Sequence, residues 1–582
     1  MKHIKLYLIY PVLLFLFLLS LAGCGRVSKD EAFEHWCQQV FVKEISKNTL
    51  NLHYTLKHPE SYGITSIPVS LGNYNMKELE TELAEKKSYL AALSSFDASS
   101  LSLKNRLTYD ILSYELEQSI ADSGFFLYQE PLGSVTGIQA ELPILLSEYR
   151  FDSVSDIPVY LNLLAQVEDY FDSVLAFEEE KAKKGLFMPR QSALAVIAQC
   201  KDFVAAPTDN MLLSTFESRL DTVLTEDSPL RETYIKENHS IFYGSILPAY
   251  EKIITTLTTL MDTSQNENGL CYLPYGKQAY EANVQSLIGC KRTIPEIKAL
   301  IQKYYKRDLL ALKSCLKKSE IVSPVLTDTT YTNPEAILSL LSQKITLDFP
   351  EISQKNYQVK YVDDSLKDHI SPAFYLTPPI DNDSYNVIYI NPAMELKDLS
   401  LFTTLAHEGY PGHLYQTVFS MNENLEPVRS LLSFGGYTEG WATYGEMYAY
   451  RLYGLDENSA LYYMYSNSLN LSLYGIADIG IHYDGWQQKE LTEFFSQYGI
   501  TDETSIQNIQ TTILEAPGNY LKYYIGYLEF LELKEKAQET TYTGAPWDLK
   551  TFHTAILKIG EAPFPVIEKY LPEYYLPLYS SK

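Results

Sequence analysis

Disulfides cannot be the framework of this chain, because it has only six cysteines in 582 residues. Cys24, Cys37, Cys200, Cys271, Cys290 and Cys315 include no CxxC pair of the kind that builds a zinc knuckle. Cys271 and Cys290 are close enough in sequence to pair, and isolated thiols serve equally well. Positive charge is also short: 47 Lys and Arg stand against 73 Asp and Glu, for a formal net charge of −26. Phosphate backbones need a basic footprint, so nucleic acid is excluded as a partner. The same deficit argues against adhesion of the protein body to anionic lipid. After Leu6–Leu21 no apolar run is long enough to span a bilayer, and neither internal repeats nor low-complexity tracts occur.

The exception to the last absence is at the start. Met1-Lys2-His3-Ile4-Lys5 is a short basic segment, and the apolar run behind it ends at Leu21-Ala22-Gly23-Cys24. That order matches a signal peptide, and Leu-Ala-Gly-Cys resembles a bacterial lipobox. Residues 1–23 are therefore expected to be removed, Cys24 to carry lipid and residues 24–30 to form a tether. Contact with the membrane would run through this anchor alone, with the body outside the cytoplasm.

The chain that remains exceeds the usual limit for one hydrophobic core. Apolar residues at threes and fours predict helices over Glu31–Leu56, Met76–Ser94, Leu101–Ala121 and Asp156–Gly185. The pattern returns over Pro189–Ala205, Asn210–Leu224, Leu230–Met261 and Ile294–Lys318. After about Ser353 the text changes. Tyr357–Val362 and Tyr385–Ile390 are short, β-branched and aromatic, as strands are. The expected fold is mainly α: a large helical body with a small sheet beside one chemically loaded helix. A helical region over 31–350 would precede a metal-site region over 351–582, and one continuous body is an equal alternative.

That helix is Leu401-Phe-Thr-Thr-Leu-Ala-His407-Glu408-Gly-Tyr-Pro411-Gly412-His413. Catalytic zinc takes neutral imidazoles and a carboxylate and keeps one position for water, whose proton an adjacent Glu can accept. In HExxH the two His are four residues apart and share a helix face. Here they are six apart, about 240° around a regular helix, so they point to different faces. Pro411 cannot continue the hydrogen-bond ladder, and Gly412 admits backbone angles closed to other residues. The sequence thus predicts a broken turn that swings His413 back toward His407. Downstream, Gly436-Tyr-Thr-Glu439-Gly-Trp-Ala-Thr-Tyr-Gly-Glu446 opens another helix with two carboxylates on one face. Glu439 is assigned as third ligand, Glu446 as the group that orients an imidazole, and Glu408 as general base.

HEGYPGH followed by YTEGWATYGE resembles the bacterial domain-of-unknown-function 885 family, which is similar to the zincin metallopeptidases. The resemblance extends over nearly the whole chain beyond the leader. It includes Asp478-Ile-Gly-Ile-His482-Tyr-Asp-Gly485-Trp486 and Pro517-Gly518-Asn519-Tyr-Leu-Lys-Tyr523-Tyr-Ile-Gly526. It implies a zincin-like helical body with bound Zn²⁺. It also places His482 and Tyr523 near the site as candidate oxyanion donors, with Asp478 in support. The chain departs from the family pattern at Leu473-Tyr474-Gly475 and at Asn519, positions that bear on substrate contacts rather than on the metal. The reading that follows is a zinc hydrolase of short peptides. An ester or non-peptide amide hydrolase, or a surface lipoprotein that binds peptides without turnover, remains open, as does the oligomeric state.

Overall fold

The computed structural model describes residues 28–134, 137–324, 329–352, 356–362, 371–382, 386–394, 396–539 and 547–580. The lipobox and Cys24 lie outside these residues. No described helix is long and apolar enough to cross a membrane.

Helices dominate, and a single three-stranded sheet is found among the described residues. The elements that matter most for the site are α1 (Ile294–Lys318), α2 (Asp398–Glu408), α3 (His413–Asn422), α4 (Gly435–Ala449), α5 (Glu457–Ile479), α6 (Asn519–Glu539) and α7 (Leu549–Ile559). The strands are β1 (Gln358–Tyr361), β2 (Ala373–Leu376) and β3 (Val387–Ile390). β3 is central, parallel to β1 and antiparallel to β2. Its four residues Val-Ile-Tyr-Ile are all buried, as expected of a strand flanked on both sides. β2, with Ala373 opposite Ile390, is an edge strand. Prolines crowd it on both sides, at Pro372 and at Pro378-Pro379, which is why its sequence reads as loop; an edge tolerates them.

Long predicted helices break where a side chain or a proline captures the backbone. The run over 31–56 is two helices, Lys29–Ile45 and Thr49–Thr55, because Asn48 caps the second by accepting from Asn51 N–H at 3.0 Å. The run over 156–185 divides at Gln166, whose amide donates to Val69 O at 2.9 Å and accepts from Leu71 N–H at 3.2 Å. The run over 230–261 has a π turn at Phe242–Ile246, just before Pro248, which has no N–H to donate. α1 matches its expected span, with Thr293 and Glu296 forming a capping box at its start.

Two large hydrophobic cores hold the molecule. One is built from residues between Leu50 and Leu257. The other spans Tyr280 to Tyr575 and also recruits Leu107, Ile111 and Tyr114. The helices between 276 and 344 therefore pack with the metal-site half. The cause is the apolar stripe of α1, with Ile294, Ile297, Ile301 and Tyr304 buried in that second core, where α1 lies along α5. Cys271 and Cys290 are both free thiols.

Candidate metal centre

β3 feeds through Asn391-Pro392 into α2, whose buried face (Leu401, Phe402, Leu405, Ala406) seats it on the core and carries His407 and Glu408 at its last turn. The helix stops at Glu408, and α3 begins at His413. Between them the peptide bond Tyr410–Pro411 is cis. Gly412 N–H donates to Ala406 O at 3.0 Å and Tyr415 N–H to Gly409 O at 3.1 Å, a reach longer than any α-helical bond. A side chain at Gly412 would put its Cβ 1.7 Å from His407 O. Only glycine fits, and the break that Pro411 and Gly412 predict is present.

The broken turn brings the imidazole rings of His407 and His413 to 4.8 Å, nearly perpendicular at 81°. α4 then delivers Glu439. Its Oε2 lies 3.5 Å from His407 Nε2 and 3.4 Å from His413 Nε2. Donors about 2.0–2.2 Å from a tetrahedral zinc are roughly 3.3–3.5 Å from one another, so these separations are the edges such an ion requires. Two of the three edges of the donor triangle thus match the span of such an ion. Ligand atoms of His407, Glu408 and His413 also fall within 4.8 Å of one another. Glu408 differs from Glu439 in its partner: its Oε2 accepts Tyr375 N–H of edge strand β2 at 2.9 Å. That contact holds the Glu408 carboxylate at the side of the cluster, beside the strand.

A second carboxylate, Glu446, faces the other ring nitrogen of His407, with Oε2 3.4 Å from Nδ1. Its Oε1 accepts from Asn467 Nδ2 on α5 at 2.9 Å. This fixes which nitrogen of His407 looks at Glu439. A cavity of about 870 Å³ adjoins the pair, with Thr404, Glu446, Asn467 and Tyr463 in its walls. It touches the cluster through Glu446 and not through His413 or Glu439.

Electrostatics follow the contacts. Burial opposes charge on His407, yet hydrogen bonds to Glu439 and Glu446 keep its pKa well above the ordinary value. Burial likewise opposes charge on Glu439, and His407 and His413 hold it well below the usual carboxylate range. Glu408 moves the other way: burial raises it, and His407 and His413 only partly offset that. A carboxylate with a raised pKa beside two imidazoles is suited to take up and return a proton.

α4 reaches this position because its backbone touches its neighbours. Trp441 Nε1 donates to Pro411 O at 2.8 Å, tying α4 to the broken turn. A Cβ on Gly440 would lie 2.3 Å from the Gly526 carbonyl carbon, so α4 and α6 cross in direct backbone contact. α6 thereby places Tyr523 in the cluster, its ring 6.2 Å from that of His407. Burial, with Glu439 and Glu408 nearby, pushes the phenol pKa up, so Tyr523 remains a donor. Lys522, its neighbour, sets Nζ 3.5 Å from Glu439 Oε1. Neither Lys522, Asn467 nor the Tyr375 N–H carries a sequence signal, because each reaches the site from a separate element.

Two expected members are elsewhere. His482 is 1 % exposed and lies in a π turn at the end of α5. Its Nε2 meets Ile513 O at 2.8 Å, and Leu270 N–H donates to its Nδ1 at 3.2 Å. Both ring nitrogens are satisfied by backbone, so His482 has no donor for an oxyanion. Asp478 accepts from Tyr280 Oη at 2.5 Å and from Gly518 N–H at 3.0 Å. It anchors the turn before α6 instead of orienting a cluster imidazole.

Two solved structures share the fold. A lipoprotein candidate from Colwellia psychrerythraea superposes with a TM-score of 0.82 at 17% identity, covering 95% of this chain and 100% of that one. A lipoprotein candidate of unknown function from Shewanella oneidensis gives 0.63 at 17% identity, covering 92% and 99%. No curated protein matches the chain. The profile of a family described as "Bacterial protein of unknown function (DUF885)" matches residues 61–571, a span that takes in the sheet, the broken turn and every residue of the cluster. The chain is a member of that family.

Proposed function

We propose that this protein is a zinc-dependent hydrolase that cleaves short peptides outside the cytoplasm. The observation that carries the reading is the convergence of two Nε2 atoms on one oxygen of Glu439, at 3.5 and 3.4 Å, with a separately held carboxylate, Glu408, beside them. His407, His413 and Glu439 would hold the metal. When bound, zinc supplies an acidified water and polarises the carbonyl under attack. Glu408 accepts the proton of that water and passes it to the leaving amine. Tyr523 donates to the oxygen on which negative charge develops. Glu446 keeps His407 in the tautomer that presents Nε2. The lipobox at Leu21–Cys24 supports an acyl tether, and the lipoprotein assignments of both similar structures agree with it.

Elemental analysis together with a peptide-cleavage assay tests this. The expected result is near one equivalent of zinc per chain and cleavage of short peptides. Less than about half an equivalent after metal-replete purification would favour a peptide-binding lipoprotein without turnover.

A further inference from the structure

Glu439 has two oxygens, and they face different partners. Oε2 faces the imidazoles and Oε1 faces Lys522. At 3.5 Å the Lys522 contact is a charge pair too long for a good hydrogen bond. Its ammonium, with three donors, is therefore not consumed by Glu439. The side chain is held in place nonetheless. Its stem runs past Gly435, where a Cβ would meet Lys522 Cδ at 3.3 Å, and Nζ lies 5.0 Å over the Tyr523 ring. With 21 % of the side chain exposed, it is accessible to solvent. Glu141, from the helix Ile138–Ser147 of the other core, is within its electrostatic reach. The three carboxylates at this cluster would repel an anionic substrate group, and Lys522 supplies positive charge beside them to offset that repulsion.

Distance says which anion. Nζ is 3.5 Å from Glu439 Oε1, and the other oxygen of the same carboxylate faces both imidazoles. One extended residue adds at most ~3.6 Å. A carboxylate on the residue just beyond the scissile bond is the substrate anion nearest to the cluster, and hence the first that Nζ would meet. Resting on the peptidase reading above, we infer that Lys522 binds the free α-carboxylate of the substrate, so that the enzyme removes a single C-terminal residue. Water adds to the carbonyl carbon of the penultimate residue and the C–N bond breaks. The amine leaves with the proton carried by Glu408, giving a shortened peptide and one free amino acid.

The test is calorimetric binding to the full chain carrying Glu408→Gln, using Ala-Ala-Phe as the free acid and as the C-terminal amide. The acid should bind at least about tenfold tighter. Lys522→Met in that background should abolish the preference while the amide binds as before, and Lys522→Arg should restore part of it. Zinc content and thermal unfolding of each variant confirm folding. In the chain with Glu408 intact, Lys522→Met should raise KM for the acid far more than it lowers kcat. Equal binding of acid and amide, or a preference that survives Lys522→Met, overturns the assignment. So does an equal loss of kcat on both substrates, which would put Lys522 at the reacting oxygen instead. A preference for the acid that depends on Lys522 in a protein that cleaves neither peptide would leave the carboxylate site standing and remove the peptidase reading.

Discussion

His407, with 13 % of its side chain exposed, and His482, at 1 %, both lie in helical surroundings, yet their environments drive them in opposite directions. His407 is enclosed by the carboxylates of Glu439 and Glu446, which hold its pKa up against burial. His482 meets only backbone groups and an aromatic face, Tyr280 at 5.2 Å, and burial lowers its pKa to about 4. His553 repeats the second pattern, with Asp348 O and Tyr444 Oη as partners and a pKa of about 3. Burial alone therefore does not mark a chemical site. The sign of the charge that meets the imidazole does.

The contrast can be broken by substitution. The largest effect is expected at the base of the cluster: Glu408→Gln should lower turnover by about 10²–10⁴ while zinc stays bound. By comparison His482→Gln should alter stability and leave metal content alone, as steady-state kinetics paired with elemental analysis would reveal. Next is Gly412→Ala, whose new methyl collides with His407 O. Urea unfolding should register a loss of about 3 kcal/mol or more, with zinc content falling as His413 is displaced. Third, Glu446→Gln keeps a partner for Asn467 but removes the charge at His407 Nδ1; chelator competition should show zinc bound 10- to 100-fold more weakly, as is typical for such partners.

The smallest effect is a pH dependence. Between the unfolded pKa of 6.5 and the native value of about 4, the unfolded chain binds a proton at His482 that the native chain does not. Its contribution is thus fully present above pH 6.5 and is lost as pH falls toward 4. Relative to His482→Gln, wild-type stability should drop by about 2 kcal/mol from pH 7 to pH 5. Asp478, raised by burial to about 7, works in the opposite sense, since its stabilising neutral form is lost as pH rises through 7. The variant pair isolates His482 from that background. A difference that stays flat with pH would show that His482 is not held neutral.

Much of the cluster's assembly was legible because its signals are local. His407 and Glu408 are adjacent on a helix with an apolar face, and a proline and a glycine in a row dictate that the helix must break before His413. Glu439 and Glu446 share a face through simple periodicity. Other features depend on packing that a linear text does not encode. His482 is expected near the site only through the family resemblance, and its actual partners, Leu270 N–H and Ile513 O, are distant in sequence. Lys522 sits beside a residue chosen for its phenol and has no motif of its own. β2 was hidden by its flanking prolines, and the helix breaks at Asn48 and Gln166 depend on side chains that turn back onto the backbone of neighbouring segments.

The crossing of α4 and α6 at Gly440 and Gly526 has a consequence for how this site tolerates change. Where two helices meet through side chains, their spacing drifts with each substitution in the layer between them. Here the main chains touch, and a Cβ on Gly526 would fall 2.2 Å from Gly436 O. The gap between the helix that carries Glu439 and the helix that carries Lys522 and Tyr523 is consequently set by covalent geometry, like the jaws of a caliper closed to their stop. The surrounding core can vary in shape without moving these three groups, whereas a single methyl group at the crossing would open them all at once.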